Sequence, residues 1–247
     1  DFPEKFEKKT FGAEVLKFEE NANKKEDSFW NTIRPVPLTT EETNDYLKKD
    51  ALQLKKKSKV YLDSIDAKKN KFGLLSPITG YTYNNTFKKW MLNYDGPLTN
   101  TSFNTVQGWT TAIGFSYSTN DEEKRTYSRI GTNFSYGFAE DKFRATASYI
   151  CKFNNKDNST LSVNGGSSVN QFNGNNPISK NVNSISSLLF VNNFMKLYEK
   201  NYAAIYFGRE IINGLNMNLG LEYAERKPLW NTSEQRWIKS EDDFTSN

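Results

Sequence analysis

The chain contains no histidine, and Cys151 is its single cysteine. The first absence removes Ser-His and Cys-His nucleophile pairs, histidine general bases and histidine metal sites together. The second excludes an intrachain disulfide and a thiolate metal cluster. Long hydrophobic runs are missing too. Mean hydropathy is -0.76, and no window approaches the ~20 apolar residues of a membrane-spanning helix. That excludes a helical membrane protein but not a membrane β-barrel, whose strands are only half apolar. Nor is there an excess of one charge: 33 basic residues stand against 29 acidic ones, a net of +4. The basic residues form short lysine runs rather than a face, so no nucleic-acid partner is expected. No catalytic residue, cofactor or metal site is expected either.

Aromatic residues, in contrast, make up 15% of the chain, and they fall in a pattern. From Trp109 the odd positions read Trp109, Thr111, Ile113, Phe115 and Tyr117; the even ones read Thr110, Ala112, Gly114, Ser116 and Ser118. Side chains alternate across a strand, so one face is bulky and apolar and the other small and polar. Trp109 and Tyr117 lie roughly 26 Å apart along a strand. At a barrel tilt of ~40° this projects to about 20 Å, close to the apolar band between aromatic girdles.

The same alternation returns downstream. Ile130, Phe134, Tyr136 and Phe138 oppose Arg129, Gly131 and Ser135; Phe143, Tyr149 and Cys151 oppose Arg144 and Lys152. Leu215, Met217, Leu219, Leu221 and Tyr223 oppose Asn216, Asn218, Gly220 and Glu222, after an Asn213-Gly214 hairpin signal. A hairpin is expected over residues 74–94. A weaker strand over 159–169 is put in doubt by Gly165-Gly166, and 184–198 fits a helix or a strand equally. The Asn-rich loop 170–183 is expected to be mobile. The fold class is therefore mainly β, part of an antiparallel transmembrane β-barrel over residues 73–247. Candidate lipid-facing residues are Trp109, Ile113, Phe115, Tyr117, Phe134, Tyr136, Leu219 and Tyr223. Candidate lumen-facing residues are Arg129, Arg144, Lys152, Glu222 and Arg226. A soluble β-sandwich leaves the same alternation and stays open as an alternative.

Residues 1–72 differ, with 16 of the basic and 14 of the acidic residues and no period-2 pattern. Ser28 to Leu38 holds Pro35 and Pro37 and is expected to be extended. Thr39 with Glu42 makes a capping box, predicting an amphipathic helix over about 39–62. Its Lys55-Lys56-Lys57 run is a solvated face or a contact with acidic lipid head groups. The Asn-x-Ser/Thr triplets at Asn84, Asn100, Asn133, Asn158 and Asn231 are what chance gives in so Asn-rich a chain. The chain starts at Asp1 and stops at Asn247 in mid-pattern, so both ends look cut and a secretory signal is expected to lie upstream.

Several motifs occur together in order: Phe29-Trp30, Arg34-Pro35-Val36-Pro37-Leu38-Thr39, Glu41-Glu42, Tyr46 through Asp50, and Phe103-Asn104-Thr105-Val106-Gln107-Gly108. Leu197-Tyr198-Glu199-Lys200, Asn213-Gly214-Leu215 and Arg226-Lys227-Pro228-Leu229-Trp230-Asn231 follow. This set resembles the domain-of-unknown-function (5686) family of outer-membrane proteins from Bacteroidota-type bacteria, with Gln107 where an acid is usual. The resemblance implies a Gram-negative outer-membrane location, a carboxypeptidase-like regulatory β-sandwich ahead of this segment, and further strands after it. It implies no activity and no catalytic residues.

The expected function is that of an outer-membrane β-barrel protein in transport or assembly of molecules at that membrane, with no catalytic chemistry. Its partners would be outer-membrane lipid and periplasmic or outer-membrane proteins docking on a periplasmic residue 1–72 segment. Two alternatives stand beside it. One is a soluble glycan-binding sandwich stacking ligands on Trp30, Trp90 or Trp109. The other is a barrel-embedded hydrolase using an acid pair such as Asp63 and Asp66.

Overall fold

The computed structural model describes residues 25–238 and 243–247. Residues 1–24, the start of the expected periplasmic segment, lie outside the described residues, as do 239–242. The chain divides into two compact units between Lys55 and Lys56.

In the first unit, helix α1 (Asp27–Ile33) occupies part of the stretch expected to be extended. The prolines shape only the residues beyond the end of this helix. Arg34 precedes Pro35 and leaves the helical region with ψ 126°, as the pyrrolidine ring requires of its neighbour. Helix α2 (Thr40–Lys57) opens on the expected capping box. The Thr39 backbone N–H donates to the Glu42 carboxylate at 2.8 Å, and the Glu42 N–H donates to the Thr39 hydroxyl at 3.3 Å. The helix stops short of Leu62. Ser58 turns extended (ψ 143°) and its Oγ accepts the Tyr61 N–H, starting helix α3 (Lys59–Lys69) as a new N-cap.

Helix α3 belongs with the sheet, so the boundary expected near residue 72 falls inside the second unit. Buried Asp66 accepts the Thr86 backbone N–H at 2.7 Å and the Thr86 hydroxyl at 2.6 Å. The Asn70 side-chain amide pairs with both the N–H and the carbonyl of Asn84, taking the place of a neighbouring strand. The short helix α4 (Ser76–Thr79) then leads into strand β1.

Among the described residues all the strands join one antiparallel sheet: β1 (Tyr81–Asn85), β2 (Trp90–Asp95), β3 (Ser102–Asn104), β4 (Gly108–Asp121), β5 (Thr126–Gly137), β6 (Lys142–Lys152), β7 (Thr160–Gln171), β8 (Leu197–Ile212) and β9 (Leu215–Pro228). Their order is sequential, with β3 pairing β4 beside the main path; β1 and β9 are not paired with each other, so the sheet is open. Turns 86–89, 122–125 and 138–141 each finish on a left-handed residue, Lys89, Arg125 and Asp141 respectively. The predicted hairpin turn closes β8 onto β9, with Gly214 at φ 84°.

The doubtful strand over 159–169 is β7, paired along its length to β8. Its glycines mark a change of phase. Ala204 and Gly208 are the buried positions in the second half of β8, and Leu197 and Glu199 in the first. Between these halves Tyr202 pairs with Gly166, whose φ of 132° favours glycine; a Cβ there would lie 2.2 Å from the Ala145 carbonyl oxygen. The ambiguous 184–198 stretch divides into the C-terminal part of helix α5 (Lys180–Phe190) and the start of β8.

The buried apolar residues gather at one end of the strands. Val106, Met195 and Leu197 form a cluster with Val169, Ile178 and Leu229 against it. Around it the whole stretch from Ser102 to Gln107 is buried. Asn104 Oδ1 accepts the N–H groups of Val106 and Gln107, closing the turn locally. The Ser184 hydroxyl of α5 accepts the Phe103 N–H at 2.8 Å, and the Thr105 hydroxyl donates to Asn231 at 2.7 Å. This end of the sheet is thus capped by α5 and the C-terminal residues.

Candidate functional site

Strand register decides which residues share a face, and it sorts the candidates into two sets. Directly paired residues lie on one face. Tyr83, Leu92, Tyr117, Ile130, Tyr149, Val163, Ile205 and Leu221 pair one to the next across eight strands. Each member of this row is apolar or aromatic, and each is exposed, from 38% at Tyr83 to 76% at Leu221. The adjoining row on the opposite face reads Thr82, Asn93, Ser116, Gly131, Ser148, Asn164, Ala204 and Glu222. At about 4.8 Å per strand the apolar row extends roughly 34 Å without a charge. Exposed apolar patches of that reach on soluble monomers mark contact with something else.

Trp109, Ile113, Phe115, Tyr117, Phe134, Tyr136, Leu219 and Tyr223 all lie on this apolar face. They are not equivalent. Phe115, Tyr117, Leu219 and Tyr223 are exposed, whereas Ile113, Phe134 and Tyr136 are half-buried. Trp109 sits at the capped end, its ring 5.7 Å from Phe103 and 6.4 Å from Trp237. Trp90 stacks on Tyr83 at 5.4 Å and Trp30 meets Phe29 edge-on at 5.4 Å, so each of the three tryptophans has a protein ring beside it.

Arg129, Arg144, Lys152, Glu222 and Arg226 share the polar face but form separate groups. Arg129 donates to Ser116 Oγ at 3.2 Å. Lys152 donates to the side-chain oxygens of Asn155 and Asn158 at the opposite end from the cap. Glu222 pairs with Lys200 at 2.8 Å and stands 3.8 Å from Arg226. Arg144 alone is fully buried. Its Nε and Nη2 donate to Glu199 Oε2 at 3.1 and 2.7 Å, and the rest of the guanidinium clasps Glu140. Lys142 adds a second cation on Glu199 at 2.6 Å, and Gln107 Nε2 donates to Glu140 at 2.7 Å. Two cations therefore meet two carboxylates, and all three nitrogens of the guanidinium donate.

Sequence reasoning missed Glu140, Lys142 and Glu199. The i,i+4 spacing of Glu140 and Arg144 across a hairpin turn was the only available signal, since Glu199 arrives from 55 residues away. Such a cluster ties the 138–141 turn to β8 and fixes the end of the sheet. Of the two acids Asp63 and Asp66, the first is paired with Lys59 at 2.6 Å, while the second holds Thr86. Among the described residues no group of His, Cys, Asp or Glu is placed to hold a metal, and no helix is long and apolar enough to cross a membrane.

A model of the C-terminal domain of a family of unknown function (DUF5686) matches residues 75–247, well over half of the 247-residue chain. Neither the curated proteins nor the solved structures give a match.

Proposed function

The chain belongs to the family of unknown function DUF5686 through its C-terminal domain, and we propose that in this member the sheet is part of a transmembrane β-barrel wall in the bacterial outer membrane. The observation that carries the reading is the uncharged apolar row from Tyr83 to Leu221, exposed on every strand it crosses. A sandwich would need a second sheet over that face, yet the strands of the described residues all belong to one sheet. Taking eight such side chains out of water stabilises the assembly by on the order of 10 kcal/mol, and lipid is the environment that does so without a protein partner. Charges on the other face then line a water-filled interior.

Connection lengths support an orientation. At the uncapped end the strands are joined by 86–89, 122–125, 153–159 and 213–214; at the capped end the connections are 96–101, the short turn 138–141 and the long 172–196, which carries α5. Outer-membrane barrels have short periplasmic turns and longer external loops. The uncapped end is therefore periplasmic, and α3, fastened there through Asp66 and Thr86, enters from that side. The role that fits is passage or assembly of molecules at the outer membrane, with a periplasmic N-terminal segment open to a protein partner.

The test is cysteine labelling in a Cys151→Ser background, with a bimane at position 117, 130 or 163 and, separately, at 148 or 164. In reconstituted membranes, quenchers carried on lipid chains should reach the first set and aqueous quenchers the second. Labels at 117, 130 and 163 shielded from both quenchers would mean that protein covers this face, and the barrel reading would fall.

A further inference from the structure

Lysines gather where the apolar face ends at the uncapped rim. Turn 86–89 brings Lys88 and Lys89, turn 122–125 brings Lys124, and Lys152, the last residue of β6, reaches the rim from the polar face; together they line a groove of about 560 Å³. Three separate chain segments supply these cations, so the cluster is made by strand register and is not a run in the sequence. The one acid lining the groove is Asp121, which Lys89 holds at 3.0 Å with Lys124 4.0 Å away. Asn155 and Asn158 fix the Lys152 ammonium. Glu122 and Glu123 stand in the same turn as Lys124 and act on Lys89 as well, so four lysines against three carboxylates leave a small surplus of positive charge at this concave rim. The other wall is aromatic, with Tyr149 and Phe153 exposed beside it. Tyr149 belongs to the row that meets lipid if the sheet is a barrel wall.

A groove that is cationic on one side and continuous with a lipid-facing aromatic row on the other suits a molecule with an anionic head and an apolar tail. We propose that this groove binds the phosphate of an acidic phospholipid headgroup in the periplasmic leaflet, with the acyl chains lying along the Tyr149 side of the sheet. The proposal rests on the barrel reading for the lipid's position. Lysine is a point-charge phosphate partner, and a nearby cation strengthens attachment to an anionic surface roughly fivefold.

The experiment places the full protein in nanodiscs of phosphatidylcholine containing a minor fraction of spin-labelled phosphatidylglycerol or spin-labelled phosphatidylcholine. The motionally restricted fraction of each label is then compared. Phosphatidylglycerol should be preferred by roughly fivefold or more. High salt and the variant K88Q/K124Q/K152Q should each bring the preference close to one, with bimane-130 still quenched from the lipid chains. Should the triple variant fail to fold, K124Q alone, in an exposed turn, should still lower the preference measurably. Equal restriction of the two lipids by the unaltered protein, or a preference unchanged in the variants, overturns the proposal and leaves the barrel intact. Millimolar inorganic phosphate that abolishes the preference would assign the groove to free phosphate instead. Loss of bimane quenching in the unaltered protein would instead count against the barrel.

Discussion

Arg144 donates from its side-chain nitrogens to two carboxylates and touches almost no water. Replacing it by alanine strands Glu140 and Glu199 next to each other, with Lys142 the remaining cation. Removing one member of a buried ion pair costs about 3–5 kcal/mol, so Arg144→Ala should lower the temperature at which the folded, fast-migrating gel band is lost. Arg144→Lys should recover only part, because an ammonium cannot bridge two carboxylates in the plane of a guanidinium. Glu42 gives a pH-dependent counterpart outside the sheet. The Thr39 backbone N–H, and then its hydroxyl, hold the Glu42 carboxyl below the ordinary range. A depressed carboxylate stabilises the start of α2 above its unfolded pKa, and that support is lost as pH falls through the folded value. Hydrogen exchange at the amides of 39 and 42 should quicken over that acidic interval relative to the rest of the helix, and in Glu42→Gln the acidic step should vanish. Sequence spacing revealed the capping box because its parts are three residues apart. The Arg144 cluster escaped because its second anion comes from another strand.

At the scale of elements the two faces of β4, β5 and β9 should answer differently to charge. An arginine at the bilayer midplane of a barrel costs roughly 2–4 kcal/mol. Ile113→Arg, Phe134→Arg and Leu219→Arg should therefore each reduce the folded fraction after refolding into lipid vesicles. Asn218→Arg, on the exposed polar face of β9, should be tolerated. Ser116→Arg should not be, although it is also on the polar face: Ser116 is buried and already accepts from Arg129, so a second guanidinium would face the first. Alternation gave the face of each residue but not its crowding, which depends on what the neighbouring strands place opposite. Gly108 makes the same point for the backbone. Its φ is 68°, and a Cβ there would lie 2.6 Å from the Ala139 Cβ. Gly108→Ala should destabilise the cap by about 1–3 kcal/mol, read as earlier proteolysis of the segment around residues 102–108 at rising temperature.

For the whole molecule, the barrel reading predicts that the full-length protein fractionates with the outer membrane and needs detergent to stay in solution. Recovery of the intact protein from the soluble periplasm would refute it. Protease added to intact cells should spare residues 25–70, and cleavage there should need a permeabilised outer membrane; attack in intact cells would invert the orientation. What the sequence by itself determined is the mainly β class, the two-faced strands, the Asn213-Gly214 hairpin and the capping box at Thr39. All of these are encoded by neighbours within a few residues, where periodicity and turn chemistry act directly. The tertiary structure decided the rest. Register lined up single apolar residues from eight strands into one row, joined α3 to the β1 edge through Asn70, and carried Glu199 to Arg144. It also gathered four lysines from three segments at one rim. Each of these depends on which strand lies beside which, a long-range choice set by packing and hydrogen bonding over the whole sheet, and no local stretch of sequence carries it.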